Sequence, residues 1–98
     1  MPRLYIPAGE YAVEPFPMMR RAYNARVQVD ADLPVSARIV TEYGFDRYLA
    51  GQGASALAGT RDANVVHFLE TRIPGMVQVY LLLVNLNDEE AAVDWNAW

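Results

Sequence analysis

Apolar and polar residues alternate with a period of two along most of this chain. Over residues 23–30, Tyr23, Ala25, Val27 and Val29 are apolar while Asn24, Arg26, Gln28 and Asp30 are polar. A strand with one buried face has this pattern, because successive side chains point to opposite faces of a sheet. Residues 35–39 repeat it, with Val35, Ala37 and Ile39 inward and Ser36 and Arg38 outward. The short DLP between the two segments carries a proline suited to a tight connection, which predicts an antiparallel hairpin over residues 23–42.

Nearer the end, Val77, Val79, Leu81 and Leu83 share one phase and Gln78, Tyr80, Leu82 and Val84 the other. A strand apolar on both phases over its second half is a central strand covered on both faces. Asn85, Asn87 and Asp88 then supply turn chemistry before alternation resumes with Val93 and Trp95 against Asp94 and Asn96, so the close of the chain reads as a second hairpin. Residues 9–15, with Tyr11 and Val13 inward, and residues 63–75, with mixed phases that suggest a bulge, supply further strands. Phe45, Tyr48 and Leu49 lie at helical spacing before Gly51, which predicts one short helical turn near residues 45–50. Residues 52–62 read as a mobile loop. The expected fold is therefore all-β, an antiparallel β-sandwich of six to seven short strands forming a single domain over residues 1–98.

Composition narrows the function. More than half of the 98 residues are apolar, which excludes intrinsic disorder. Twelve acidic residues against eight basic ones give a net charge of -4, a poor match to phosphate backbones or anionic lipid, so neither nucleic acid nor membrane is an expected partner. The absence of cysteine removes disulfides, thiolate catalysis and cysteine-ligated zinc. No stretch has the length of a signal peptide's apolar run or of a membrane span, so the chain as given is expected to be cytoplasmic, or exported if cut from a longer protein.

The succession PVSARIVTEYGFDRYLAG, a loose Gly/Ala loop, and IPGMVQVYLLLVNLNDEEAAVDW resembles the small β-sandwich domains of the GOLD-like and bacterial pre-peptidase C-terminal kind. In those domains a strand leads to a short aromatic helical turn, and a Pro-Gly turn opens the strand that ends in an Asn-rich bend. The resemblance spans residues 5–98 as a pattern of strands and turns. It implies a binding or assembly module and no catalytic residue.

The residues support no catalytic constellation. The one histidine, His67, falls within a strand, and only Ser36 and Ser55 are available as hydroxyl nucleophiles of a triad. The glycines of GQGASALAG lack both the Walker lysine and a strand-to-helix setting. The carboxylates of NLNDEE and DAD are oxygen donors of the kind calcium takes, without EF-hand spacing, and read as solvated turns. No cofactor and no metal is expected, and the chain reads as no enzyme.

Binding is the expected activity. The connection EPFPMMRRAY brings Phe16, Met18 and Met19 together beside Arg20 and Arg21, a surface segment that either covers an open sandwich edge or presents a contact patch to a protein partner. The expected function is a non-enzymatic protein-binding or assembly module that self-associates as a homo-oligomer. The alternative is a carbohydrate-binding module in which Tyr80, Trp95 and Trp98 stack on a sugar ring.

Overall fold

The computed structural model describes residues 3–53, 56–59 and 63–98. Its elements in chain order are β1 (Arg3–Ile6), β2 (Tyr11–Pro15), β3 (Tyr23–Thr41), α1 (Glu42–Leu49), β4 (Ala58–Gly59), β5 (Asn64–Ile73), β6 (Val79–Val84) and β7 (Ala91–Ala97). Every strand pairing is antiparallel, so the fold is the expected all-β one with a single short helix.

Neither expected hairpin forms. Residues 23–41 are instead one nineteen-residue strand. Its odd positions stay inward from end to end, with Ala25, Val27, Val29, Val35, Ala37 and Ile39 all buried. Alternation thus runs through the DLP without slipping phase, as a continuous strand does and a chain reversal need not. At residues 31–34 the strand bends, and its register against β5 shifts between Asp30 and Val35. Pro34 sits in this interruption, where its missing N–H takes no bond from the ladder.

The bend organises the whole sheet. The first half of β3 pairs with β5 on one side and β7 on the other, and its second half pairs with β4 and β6. β6 and β7 therefore follow one another along β3 instead of pairing together. β2 and β1 flank them in the same way. The molecule is one sheet folded over into two layers, β1-β7-β3-β5 and β2-β6-β3-β4, with the core between them. The residues expected to form a mobile loop contribute β4, which pairs with Arg38 and Ile39. Residues 54, 55 and 60–62 of that stretch lie outside the described residues, as does Ser55 with them.

Asn85, fully buried, ties the fold line together. Its side-chain amide donates to the carbonyls of Ile6 (2.9 Å), Pro7 (3.3 Å) and Glu89 (2.8 Å). Its Oδ1 accepts from the backbone and side chain of Asn87, whose Nδ2 also donates to the carbonyl of Pro34. Asp32 adds a bond from the Ala92 N–H at 2.8 Å. Where a sheet folds, the ladder is broken and its backbone groups need other partners. Asparagine carries donors and acceptors on one short side chain, which is why an Asn-rich bend serves here. His67 does similar work beside the bend in β3, its Nε2 lying 2.7 Å from the Val35 carbonyl.

The core joins Leu81 and Leu83 of β6 with Val27, Val29, Val35 and Ile39 of β3. β6 is the expected central strand, and its opposite phase buries Leu82, with Val40 beside it on β3. α1 lies over that outer face. Thr41 caps it by accepting from the Gly44 N–H at 3.1 Å, and Phe45 rests 5.4 Å from the Tyr80 ring. Tyr11 meets Phe45 and Tyr48 edge-on at 5.9 and 5.6 Å, so Tyr11 faces the helix and Ala12 takes the core side of β2, the reverse of the expected phase.

Candidate interaction surface

The Pro-rich connection divides into a buried and an exposed part. Phe16 is only 6% exposed and belongs to the core, its N–H donating to the Val79 carbonyl at 2.8 Å and its carbonyl accepting from Gln78 Nε2. It is thus a core residue and no surface contact, because the chain continues the β2–β6 ladder one residue past Pro15 and carries the ring inward. Met18 and Met19 remain half exposed, with Arg20 and Arg21 exposed beside them. Their backbone is fixed all the same. Met19 accepts from the Met76 N–H at 2.7 Å, and the Tyr23 hydroxyl, its pKa raised by burial, donates to the Pro17 carbonyl at 2.7 Å.

The three aromatics expected to stack on a sugar lie apart. Tyr80 is under α1, Trp95 packs against the core, and only Trp98 stands open at the end of β7. No platform joins them, because consecutive phases of β6 and β7 send their rings to different faces.

A larger feature lies on β5, where sequence reasoning saw a bulged strand. The irregularity belongs to β3, and β5 itself is a regular ten-residue strand. It turns His67, Leu69 and Ile73 inward, while Val66, Phe68, Glu70 and Arg72 face outward, with Phe68 71% exposed. Polar side chains on the outer face of this layer engage one another. Arg3 and Asp94 form a two-pronged pair at 2.9 Å, Gln28 donates to Asp30, and Arg26 lies 3.5 Å from Glu70. Phe68 and Val66 stand uncovered among them.

Hydrogen-bond direction shows what this edge offers. Arg26 and Trp98 exchange both of their backbone bonds at 2.9 Å. In an antiparallel ladder such exchanging pairs alternate along the strand, so the even residues in the first half of β3 turn their N–H and C=O groups to β7 and the odd ones to β5. The partners of those odd residues are His67, Leu69, Thr71 and Ile73. Val66, Phe68, Glu70 and Arg72 consequently aim both backbone groups away from the sheet, and among the described residues no strand pairs with them.

The other three edges are blunted. β1 has four residues and is followed by Pro7, β2 has five and contains Pro15, and β4 has two. Short, proline-bearing edges are how sheets prevent unwanted pairing, whereas β5 runs ten residues with no proline among them, Pro74 following only at its end. Among the described residues no three metal-capable side chains cluster, and no helix is long and apolar enough to cross a membrane. No protein-family model and no curated protein matches the chain.

Proposed function

We propose that this chain is a non-enzymatic assembly module that works by protein contact and associates with itself through the open edge of β5. One observation carries the reading: a ten-residue strand directs a row of backbone donors and acceptors outward and exposes Val66 and Phe68 on the same strand. An edge of this kind is a template for another strand, in which main-chain bonds supply affinity and alternate side chains supply selectivity. Covering a Val or Phe side chain contributes about 1.5–3 kcal/mol, before the cost of association. The resemblance to GOLD-like and pre-peptidase C-terminal domains points the same way. Exposed Met18 and Met19 form a second, smaller apolar patch.

Sedimentation of the parent chain and of Phe68→Lys across a wide concentration range tests this reading. The parent is expected to gain mass with concentration, and the variant to stay monomeric with its melting temperature within a few degrees of the parent, since Phe68 contributes little burial within one copy. A parent chain that remains monomeric at every concentration overturns the proposal. The carbohydrate reading keeps one of its three aromatics, Trp98, and sugar-dependent quenching of its fluorescence is the result that would restore it.

A further inference from the structure

We infer that two copies pair β5 with β5 antiparallel, in the register that sets Phe68 opposite Phe68 of the second copy. The inference rests on β5 being the contact edge, and goes on to fix how the edges meet.

A two-fold axis perpendicular to the sheet keeps each side chain on its own face, so outward residues must oppose outward residues. This is compatible with β5, because the outward residues Val66, Phe68, Glu70 and Arg72 are the ones whose backbone groups are free to exchange bonds. Only a few registers then overlap most of the strand. Centring on Phe68 pairs residues 64–72 of each copy and opposes Val66 to Glu70 and Asn64 to Arg72. Centring on Leu69 also overlaps well, but it opposes Phe68 to Glu70 and Val66 to Arg72, leaving every exposed apolar side chain against a charged one. Centring on Glu70 or on His67 shortens the paired stretch to seven residues: the first sets two carboxylates face to face, which is unfavourable for directly opposed like charges, and the second opposes Val66 to Phe68 but leaves residues 71–73 outside the pairing.

The Phe68-centred register brings the two most exposed apolar groups of the outward face together at the axis, with Val66 of each copy diagonal to the opposite ring. It opposes no like charges. On the inward face it sets Val65, 44% exposed in the single copy, opposite Thr71, a pair of β-branched residues suited to a pleated surface. A second copy is favoured over an unrelated strand because the edge is complementary to itself, and such a two-fold contact closes without leaving a further β5 edge open. The β5 layers of the two copies would join into one continuous sheet.

The chain contains no cysteine, so introduced thiols report cleanly. Mixing Val66→Cys with Glu70→Cys should give a mixed disulfide between copies, since an exchanging antiparallel pair holds its Cα atoms about 5.5 Å apart, within disulfide reach. Mixing Val66→Cys with Arg72→Cys should cross-link at least tenfold more slowly. Faster linkage of the second pair, with mass still rising with concentration, overturns the register and leaves edge pairing standing. A parent that stays monomeric, together with variant mixtures that form neither disulfide above the rate in denaturant, overturns both.

Discussion

Asn85 is fully buried and its side chain makes five hydrogen bonds. It satisfies backbone groups from the bend after β1 and from its own loop, and through Asn87 it reaches the corner of β3. Asn85→Ala removes those partners while the carbonyls stay buried, so a loss of about 3 kcal/mol is expected in denaturant titration, at the upper end for orphaned buried groups. A change under half a kilocalorie would mean that the corner holds without its staple. Asp94 offers a different test. The hydrogen bonds from Arg3 hold its carboxyl below the usual carboxylate range. The unfolded chain therefore takes up this proton first as pH falls. The contribution is whole above the ordinary aspartate value and is lost as pH drops through the lowered one. An NMR titration should place the Asp94 midpoint below that of a free aspartate, and Arg3→Gln should move it back up.

Elements take their form from a few positions each. The helix begins where Thr41 caps it and ends at Leu49, with Ala50 as its C-cap and Gly51 following, whose φ of 72° suits a residue without Cβ. Its aromatic spacing was legible because Phe45 and Tyr48 are the residues that grip the sheet. The turn before β6 is less relaxed. Met76 holds a φ of 60°, and a Cβ on Gly75 would come within 2.5 Å of the Arg20 carbonyl oxygen. Met76→Gly removes the left-handed penalty, and its exposed side chain gives up little, so a gain of up to about 1 kcal/mol is expected in the thermal melt. Gly75→Ala should go the other way, because the obstructing atom is backbone and has nowhere to yield. A Met76→Gly variant that melts below the parent would show that the Met76 side chain packs more than its exposure indicates.

At the scale of the molecule, one long strand decides the architecture. β3 belongs to both layers, so core residues on its two halves, such as Val27 and Ile39, are locked to the same backbone. The same fold-over leaves β5 lying along the outside of β3 with its far edge open. Leu83, at the centre of the interior, is the reference point for overall stability. Leu83→Ala should cost about 2–5 kcal/mol and leave Phe68-dependent association to follow the folded fraction. A variant whose melt matches the parent's would place Leu83 outside the core.

Period-two alternation by itself marked the residues of β3, β6 and β7 as strand and showed which of their faces are buried, because burying one face of a sheet imposes that period wherever the strand lies. It put Leu81 and Leu83 in the core, but it missed β1 and β4 and reversed the phase of β2. It left open whether a polar bend reverses the chain or turns a corner, since Asn, Asp and Pro suit both, and only the pairing partners distinguish them. Unbroken phase across Asp32 to Pro34 was the one available sign that β3 continues. Tyr11 was misassigned for a related reason: its strand's phase depends on whether a helix covers its outer face, a fact belonging to the tertiary structure. Phe16 looked like part of a surface connection because nothing local shows that the β2–β6 ladder runs one residue past Pro15. The open edge of β5 belongs there too, because an edge is defined by the strand that is absent beside it, and no local pattern of side chains records that.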